Sequence, residues 1–208
     1  GVIHISAPTG FGTSRLAPSL ARFGAKHPNV ELDLQFSDRR VSVVEEGIDL
    51  AIRIGPMRDS SLKIRQLGRM PMVVCAAPAY LERVGTPAHP RSLADHECIL
   101  DSNMTEPTAW RFRINGKEEA MQVNGRFRMS APAGSASIAA AGAAIARCPV
   151  YTVADALKLG ELVELFTEYR VLPYVVAALF PQNRHLTTRV RTLIDHLASD
   201  PTLCSDGE

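Results

Sequence analysis

The chain has 208 residues, 46% hydrophobic and 22% charged, which is typical of a globular protein with one large domain or two lobes. Its formal net charge of +1 argues against a nucleic-acid-binding surface on this chain. No apolar run approaches the length of a membrane span, and the first residues carry no signal-peptide pattern, so we expect no membrane contact.

The amino-terminal stretch Val2–Gly12 predicts a strand, a Ser/Thr/Gly turn and the start of a helix over Thr13–His27. Leu16, Leu20 and Phe23 share one helical face and should be buried. Backbone N–H groups and the positive end of the helix dipole at such a turn can bind an anion. An ordinary strand-to-helix turn is the alternative, and these residues leave both open.

The next segment continues the alternation of strand and helix. Val30–Phe36 alternates apolar and charged residues, as a half-buried strand does. Ser37 and Asp38 then cap a predicted helix at Arg39–Glu46, and Leu50–Ile54 follows as a strand. The β-α-β-α-β order predicts a parallel sheet with right-handed crossovers.

The remaining elements suggest a second lobe and a return to the first, with a hinge in two crossing strands. Asn115-Gly116-Lys117 is a strong hairpin signal between two strands. The predicted elements are extended Leu62–Ala77, helix Pro78–Val84, strands Cys98–Asp101, Trp110–Ile114 and Met121–Met129, helix Ala133–Ala144, strand Ala146–Val150, helix Thr152–Lys158, strand Tyr174–Phe180 and helix Leu186–Leu197.

Candidate catalytic residues are few. His4 lies between two isoleucines on a strand and is interpreted as structural. His96, Glu97 and Cys98 are consecutive on an extended segment, so their side chains alternate between faces and do not converge. No nucleophile elbow, phosphate-binding loop, dinucleotide fingerprint or HExxH motif is present. We therefore expect a protein that is not an enzyme and has no cofactor.

The cysteines predict neither a metal site nor disulfides. Cys75, Cys98, Cys148 and Cys204 lack the spacing of zinc ligands. The first three lie among apolar residues, which favours reduced, buried thiols and a cytoplasmic location.

Three polar turns follow strands: Thr9–Gly12, Ser37-Asp38 and Asp101–Asn103. Ligands of open α/β sheets bind beyond the carboxyl ends of the strands, where these turns should lie, although each is also explained as a cap or loop. Trp110 could stack on a ligand, but a core position is favoured.

Several stretches are similar to a known family, in matching order over nearly the whole chain. They are Ser6-Ala7-Pro8, the EEGIDLAIRIG segment 45–55, the VCAAPAYL segment 74–81, Gly85-Thr86-Pro87, the SLADHEC segment 92–98, Asn124-Gly125-Arg126-Phe127 and Arg184-His185-Leu186. This pattern resembles the carboxy-terminal effector-binding domain of LysR-type transcriptional regulators, closest to those that sense small organic acids and similar metabolites.

The resemblance implies a two-lobed α/β fold like type 2 periplasmic binding proteins, each lobe a mostly parallel sheet flanked by helices, the lobes joined by two crossing strands. Lobe I would comprise 1–73 and 165–208, and lobe II 74–164. An effector would bind between the lobes. Carried over by position, its contacts would be Thr9, Gly10, Phe11, Ser37, Asp38, Ser102, Asn103, Pro149 and Val150.

The resemblance also implies partners. The effector would change how dimers pack in a tetramer, and so how a winged helix-turn-helix domain, absent from this chain, binds promoter DNA. Helix Thr13–His27 would pack beside Leu186–Leu197 of a second subunit. The segments 130–137 and 146–149 depart from the family pattern, which leaves the effector open. A solute-binding protein of a transport system is the alternative with the same fold.

Overall fold

The computed structural model describes residues 1–38, 47–55, 62–182 and 186–204. The chain divides into two compact units, the first made of Gly1–Met70 with Tyr174–Glu208 and the second of Pro71–Pro173. The family resemblance implied that the chain passes between the lobes near residues 73 and 165. In the structure, the second crossing comes later because 163–165 and 170–171 form strands that pair within the second unit.

The described chain consists of short strands and helices. The strands are β1 (Val2–Ala7), β2 (Glu31–Phe36), β3 (Leu50–Ile54), β4 (Leu62–Met70), β5 (Met72–Ala76), β6 (Glu97–Asp101), β7 (Ala109–Ile114), β8 (Lys117–Gln122), β9 (Asn124–Met129), β10 (Ala146–Pro149), β11 (Val163–Leu165), β12 (Arg170–Val171) and β13 (Tyr174–Pro181). The α-helices are α1 (Thr9–Phe11), α2 (Ala17–Lys26), α3 (Pro78–Val84), α4 (Pro132–Ala140), α5 (Val150–Lys158) and α6 (Thr188–Ser199). A π-helical turn, Gly12–Leu16, joins α1 to α2, and Pro90–Asp95 and Pro201–Leu203 are 3-10 turns. Within the described residues, no helix has both the length and the apolar character needed to cross a bilayer.

The first unit is built on one five-stranded sheet in the order β2-β1-β3-β13-β4. The predicted parallel pairing is confirmed for β1 with β2 and with β3. The long extended stretch after residue 62 contributes β4, which pairs antiparallel to β13. The sheet is therefore mixed, because the returning strand β13 runs against both of its neighbours. The helix predicted at Arg39–Glu46 lies outside the described residues.

The first helix begins at Thr9, earlier than the predicted Thr13. Pro8 is extended and serves as the residue before the helix, and its carbonyl accepts the Gly12 N–H at 2.7 Å. The predicted apolar face is confirmed, since Leu16, Leu20 and Phe23 are at most 2% exposed.

The second unit pairs mostly antiparallel, which differs from the expected mostly parallel lobe. One antiparallel pair, β7 with β8, is a hairpin whose turn contains Asn115 and Gly116, both with positive φ. The other antiparallel pairs, β10 and β11 with β5 and β12 with β7, join segments far apart in sequence. β6 and β9 are the parallel pair among its named strands. The segment predicted as one strand, Met121–Met129, divides at Val123 into β8, which pairs with β7, and β9, which pairs with β6.

Candidate functional site

The first group of predicted ligand-binding residues comes together at the carboxyl ends of β1 and β2. These strands are parallel and in register up to Ala7 and Phe36, so the turns that follow them are neighbours. The Ser37 N–H extends the ladder by donating to the Ala7 carbonyl at 2.9 Å, and the Thr9 N–H donates to Asp38 Oδ1 at 2.9 Å. We call Thr9, Gly10, Ser37 and Asp38 the first-unit site.

Phe11, also predicted to bind ligand, does not present its ring at this edge. Its side chain is fully buried in the core of the first unit. The next residue, Gly12, lies so close to Phe36 that a Cβ there would be 2.7 Å from the ring. The GFG sequence therefore packs the start of the helix against the neighbouring strand, and any ligand contact of Phe11 would be through its backbone.

Asp38 changes the electrostatics of the first-unit site. The sequence predicted an anion site from the N–H groups at the start of the helix. One of these donors, the Thr9 N–H, is already taken by the Asp38 carboxylate. A side-chain carboxylate satisfies and neutralises the positive helix end as a bound anion would.

Sequence reasoning missed a second polar pair in the first unit. Arg53 on β3 donates from Nη2 to Ser6 Oγ at 3.2 Å and from Nη1 to the Ile52 carbonyl at 2.8 Å. Ser6 is 2% exposed and is the residue before the end of β1. An arginine on an otherwise apolar strand is the signal that could have revealed this pair, because a half-buried guanidinium needs hydrogen-bond acceptors.

The second group of predicted residues lies in the second unit, where Asp101 and Met129 pair at the carboxyl ends of parallel β6 and β9. The Ser102 N–H donates to the Met129 carbonyl at 2.9 Å, and Asn103 Nδ2 donates to the Ser130 carbonyl at 2.7 Å. The Asn103 N–H is accepted by Asp101 Oδ1 at 2.9 Å. Ser102 is thus held at the strand ends by a backbone hydrogen bond, and Asn103 by its side-chain amide and by the Asp101 carboxylate.

Pro149 and Val150 stand at the junction of β10 and α5. Pro149 is the residue before α5, and the Val150 N–H donates to the Pro71 carbonyl at 3.1 Å. The preceding residue, Cys148, directs Sγ toward the Pro132 carbonyl at 3.8 Å, at the start of α4. Neither α4 nor α5 has a side-chain cap or an acidic residue in its first turn. Two helix starts therefore lie beside the end of β10.

Cys148 also connects this junction with the end of β6. A hydrogen bond with Cys75, burial, and the charges of Cys75 and Asp101 raise the pKa of the Cys148 thiol well above its usual value, while the nearby Arg147 lowers it. Asp101, which precedes Ser102, is thus close enough to act on Cys148. We call Ser102, Asn103, Pro149 and Val150 the second-unit site.

The tryptophan left open by the sequence belongs to the core. Trp110 is 1% exposed and packs with Tyr80, Phe112 and Val123 among other apolar residues of the second unit. The Arg147 guanidinium carbon lies 5.2 Å from the centre of its ring, a cation–π distance.

The three consecutive residues His96, Glu97 and Cys98 bind separate partners. His96 Nδ1 lies 3.2 Å from the Tyr80 hydroxyl, Glu97 Oε1 accepts the Arg126 N–H at 2.7 Å, and Cys98 Sγ faces the Leu93 carbonyl. Burial lowers the pKa of His96 and raises the pKa of Cys98 to about 12. His4, the other candidate base, pairs with Asp33 at 2.9 Å on the surface of the first unit.

A Ser, a His and an Asp meet between α2 and α6, but their order is not that of a hydrolase. Ser19 Oγ donates to Asp200 Oδ2 at 2.5 Å. His196 Nε2 donates to the Ser19 carbonyl at 3.0 Å and also lies 3.3 Å from Ser19 Oγ, so this nitrogen carries a proton and cannot take one from the hydroxyl. A nucleophilic serine needs the histidine as its base, with the carboxylate on the far side of the ring. Ser19 is also fully buried, so this cluster joins two helices. Among the described residues, no group of three or more His, Cys, Asp or Glu side chains is arranged to hold a metal ion.

Polar residues held at strand ends in α/β units are typical of small-molecule-binding domains. Comparison with known families gives the same class, since the model of the LysR substrate binding domain matches residues 1–201. The chain belongs to the LysR substrate binding domain family.

Relatives and solved structures agree with this assignment. An uncharacterised HTH-type transcriptional regulator of Haemophilus influenzae is 34% identical, over 91% of this chain and 66% of that protein. The regulatory domain of CrgA, a LysR-type transcriptional regulator from Neisseria meningitidis, superposes with a TM-score of 0.78 at 25% identity, over 95% of this chain and 97% of that one. The full-length Vibrio cholerae virulence activator AphB gives 0.75 at 27% identity, over 95% of this chain and 67% of that one.

These matches confirm the two-lobed α/β fold class. The chain spans 66% of the length of the Haemophilus relative.

Proposed function

We propose that this chain is the effector-sensing part of a LysR-type transcriptional regulator, that its effector is a small organic acid, and that the first-unit and second-unit sites hold the residues that contact it. The family match over residues 1–201 carries this proposal. The position of both groups of predicted residues at strand ends supports it, because ligands of α/β sheets bind there.

The acid group has the more favourable surroundings in the second-unit site. The starts of α4 and α5 carry no acidic residue in the first turn, so their dipoles favour an anion. Ser102 is exposed and offers a hydroxyl at the same end of the unit. In the first-unit site, the exposed Thr9 and the half-buried Ser37 supply hydroxyls.

The regulatory output requires partners outside this chain. We propose that the effector shifts the population of two arrangements of a dimer or tetramer in the cytoplasm, and that a winged helix-turn-helix domain of the parent protein transmits the shift to promoter DNA. A subunit contact through α2 and a partner's α6 is part of this proposal.

Ligand-induced stabilisation tests the sensing role. We expect at least one acid from a panel of small aliphatic and aromatic carboxylic acids to raise the unfolding temperature. A ligand at about 100 times its dissociation constant stabilises a fold by roughly 2.7 kcal/mol. If no acid of the panel raises the unfolding temperature of the folded protein, the proposal of an organic acid as effector is contradicted.

Two substitutions locate the response. Thr9→Phe and Ser102→Phe add bulk at exposed positions, so we expect both variants to fold and both to lose the ligand-induced shift. Thr105→Phe, at an exposed position in the same loop as Ser102, is the matched control and should keep the shift. An unchanged response in the first two variants would reject the proposed site.

A further inference from the structure

The Asp38 carboxylate is an unusual feature for a site proposed to bind an acid. Its Oδ1 accepts the Thr9 N–H at 2.9 Å, which fixes the side chain at the end of β1. Within the described part of the chain, this is the hydrogen bond that the structure gives to Asp38, and Oδ2 is left for another donor. The side chain is partly exposed, so a bound molecule can reach that oxygen.

A carboxylate in this place acts in opposite ways on a carboxylate and on a hydrogen-bond donor of a bound acid. It repels a second carboxylate, because like charges at short range disfavour each other. It attracts a hydroxyl, an ammonium or an amide N–H, because hydrogen bonds to an ionised acceptor are stronger than those between neutral groups.

Resting on the function proposed above, we infer that the effector is a substituted acid, which places a hydroxyl or ammonium group on Asp38 and directs its carboxylate away from the first-unit site. Asp38 is then the specificity-determining residue that separates such a molecule from the plain acid of the same skeleton. The hydroxyl of Thr9 can accept or donate a hydrogen bond, so it adds affinity without making this distinction.

Matched acid pairs test the inference by titration calorimetry. The probes are succinate against malate and aspartate, propionate against lactate, and benzoate against its hydroxylated forms. We expect the wild-type chain to bind the donor-bearing member of at least one set about tenfold more tightly than the plain acid, the factor that one hydrogen bond to a charged group supplies. Equal affinity within every set that binds would overturn the inference.

The variant Asp38→Asn separates charge from structure. Its Oδ1 can still accept the Thr9 N–H, so the start of the helix keeps its cap. We expect the preference to fall below about threefold and the plain acid to bind more tightly than to wild type, because the repulsion is gone. Retention of the full preference in Asp38→Asn would overturn the inference.

Asp33→Asn is the matched control for Asp38→Asn. This variant removes an exposed carboxylate from β2, the strand that leads to Asp38, and should leave the preference unchanged. If no acid binds the wild-type chain at all, the organic-acid proposal itself is rejected and this inference with it. Binding without discrimination rejects only the role of Asp38.

Discussion

Asp200 joins the last turn of the first unit to helix α2. Its carboxylate accepts hydrogen bonds from Ser19 Oγ at 2.5 Å and from Arg22 Nη2 at 2.6 Å, and it caps the 3-10 turn through the N–H and hydroxyl of Thr202. Burial alone would raise the pKa of this carboxyl, but the hydrogen bonds from Ser19, Thr202 and Arg22 outweigh it and hold the pKa far below its ordinary value.

Asp200 should make the stability of the domain depend on pH. The folded-state pKa lies below the value of about 3.9 in an unfolded chain, so the unfolded state binds the proton first. The stabilisation is complete above about pH 5 and is lost as the pH falls through and below the unfolded value. We expect Asp200→Asn to lower the free energy of unfolding by about 2 kcal/mol at pH 7 and by much less near pH 3.

Urea unfolding at the two pH values measures the effect. Asp195→Asn removes an exposed carboxylate from helix α6 and should change little at either pH. If Asp200→Asn lowers the free energy of unfolding equally at pH 7 and pH 3, the charge of the carboxylate does not stabilise the contact.

For single residues, the sequence predicted some features of the first-unit site and not others. The grouping of Thr9 with Ser37 and Asp38 was predictable, because parallel strands end at one edge of a sheet. The hydrogen bond from the Thr9 N–H to Asp38 was not, since it depends on the side-chain rotamer after β2. Phe11 was assigned to the site by position in the family, yet its ring fills the core, because Gly12 lets the helix approach Phe36 closely.

Among the secondary-structure elements, the parallel pairing of β9 with β6 depends on Gly125. β9 leaves the β7–β8 hairpin and pairs in parallel with β6, with a register shift between Glu97 and Ile99. At this shift Gly125 lies so close to Cys98 that a Cβ on it would be 1.6 Å from the carbonyl oxygen of Cys98. A side chain cannot be accommodated without moving the backbone of one of the two strands.

We therefore expect Gly125→Ala to destabilise the second unit by about 3 kcal/mol, in the range of strained core substitutions. The matched control is Gly24→Ala in helix α2, where a Cβ would meet nothing within 4 Å. There alanine should be neutral or stabilising by up to about 1 kcal/mol because of its helix propensity. Equal unfolding midpoints of the two variants in urea would contradict the close approach of β9 to β6.

Elements formed by neighbouring segments were predicted better than those formed by distant ones. The hairpin turn at Asn115 and Gly116 and the first three strands follow from local pattern. The pairing of β13 between β3 and β4 joins residues far apart in sequence, and no local pattern specifies it. The break at Val123 was missed for the same reason, since it depends on the partner that each side of the break finds.

At the scale of the whole molecule, the chain passes between its two units at Met70 and at Pro173. Tyr174 pairs with Met70 in the first-unit sheet, so both passages leave this sheet from adjacent strands. Composition and element order predicted a chain that leaves one α/β unit and returns to it. The family resemblance was needed to assign ligand sensing, because neither unit contains a motif that specifies it by itself.

The proposed subunit contact through α2 yields the last prediction. The helix buries Leu20 and Phe23, while Pro18, Ala21 and Ala25 are exposed on its other side and give it a flat, small-residue surface. Such a surface allows close helix packing, and a charge placed in its centre would be desolvated without a partner. We expect Ala21→Glu to fold normally and to convert the dimer to monomer, with at least a tenfold higher dissociation constant in sedimentation equilibrium. Val84→Glu, at an exposed apolar position of α3 in the second unit, should leave the dimer intact. A dimer that survives Ala21→Glu unchanged would mean that the subunits meet through another face.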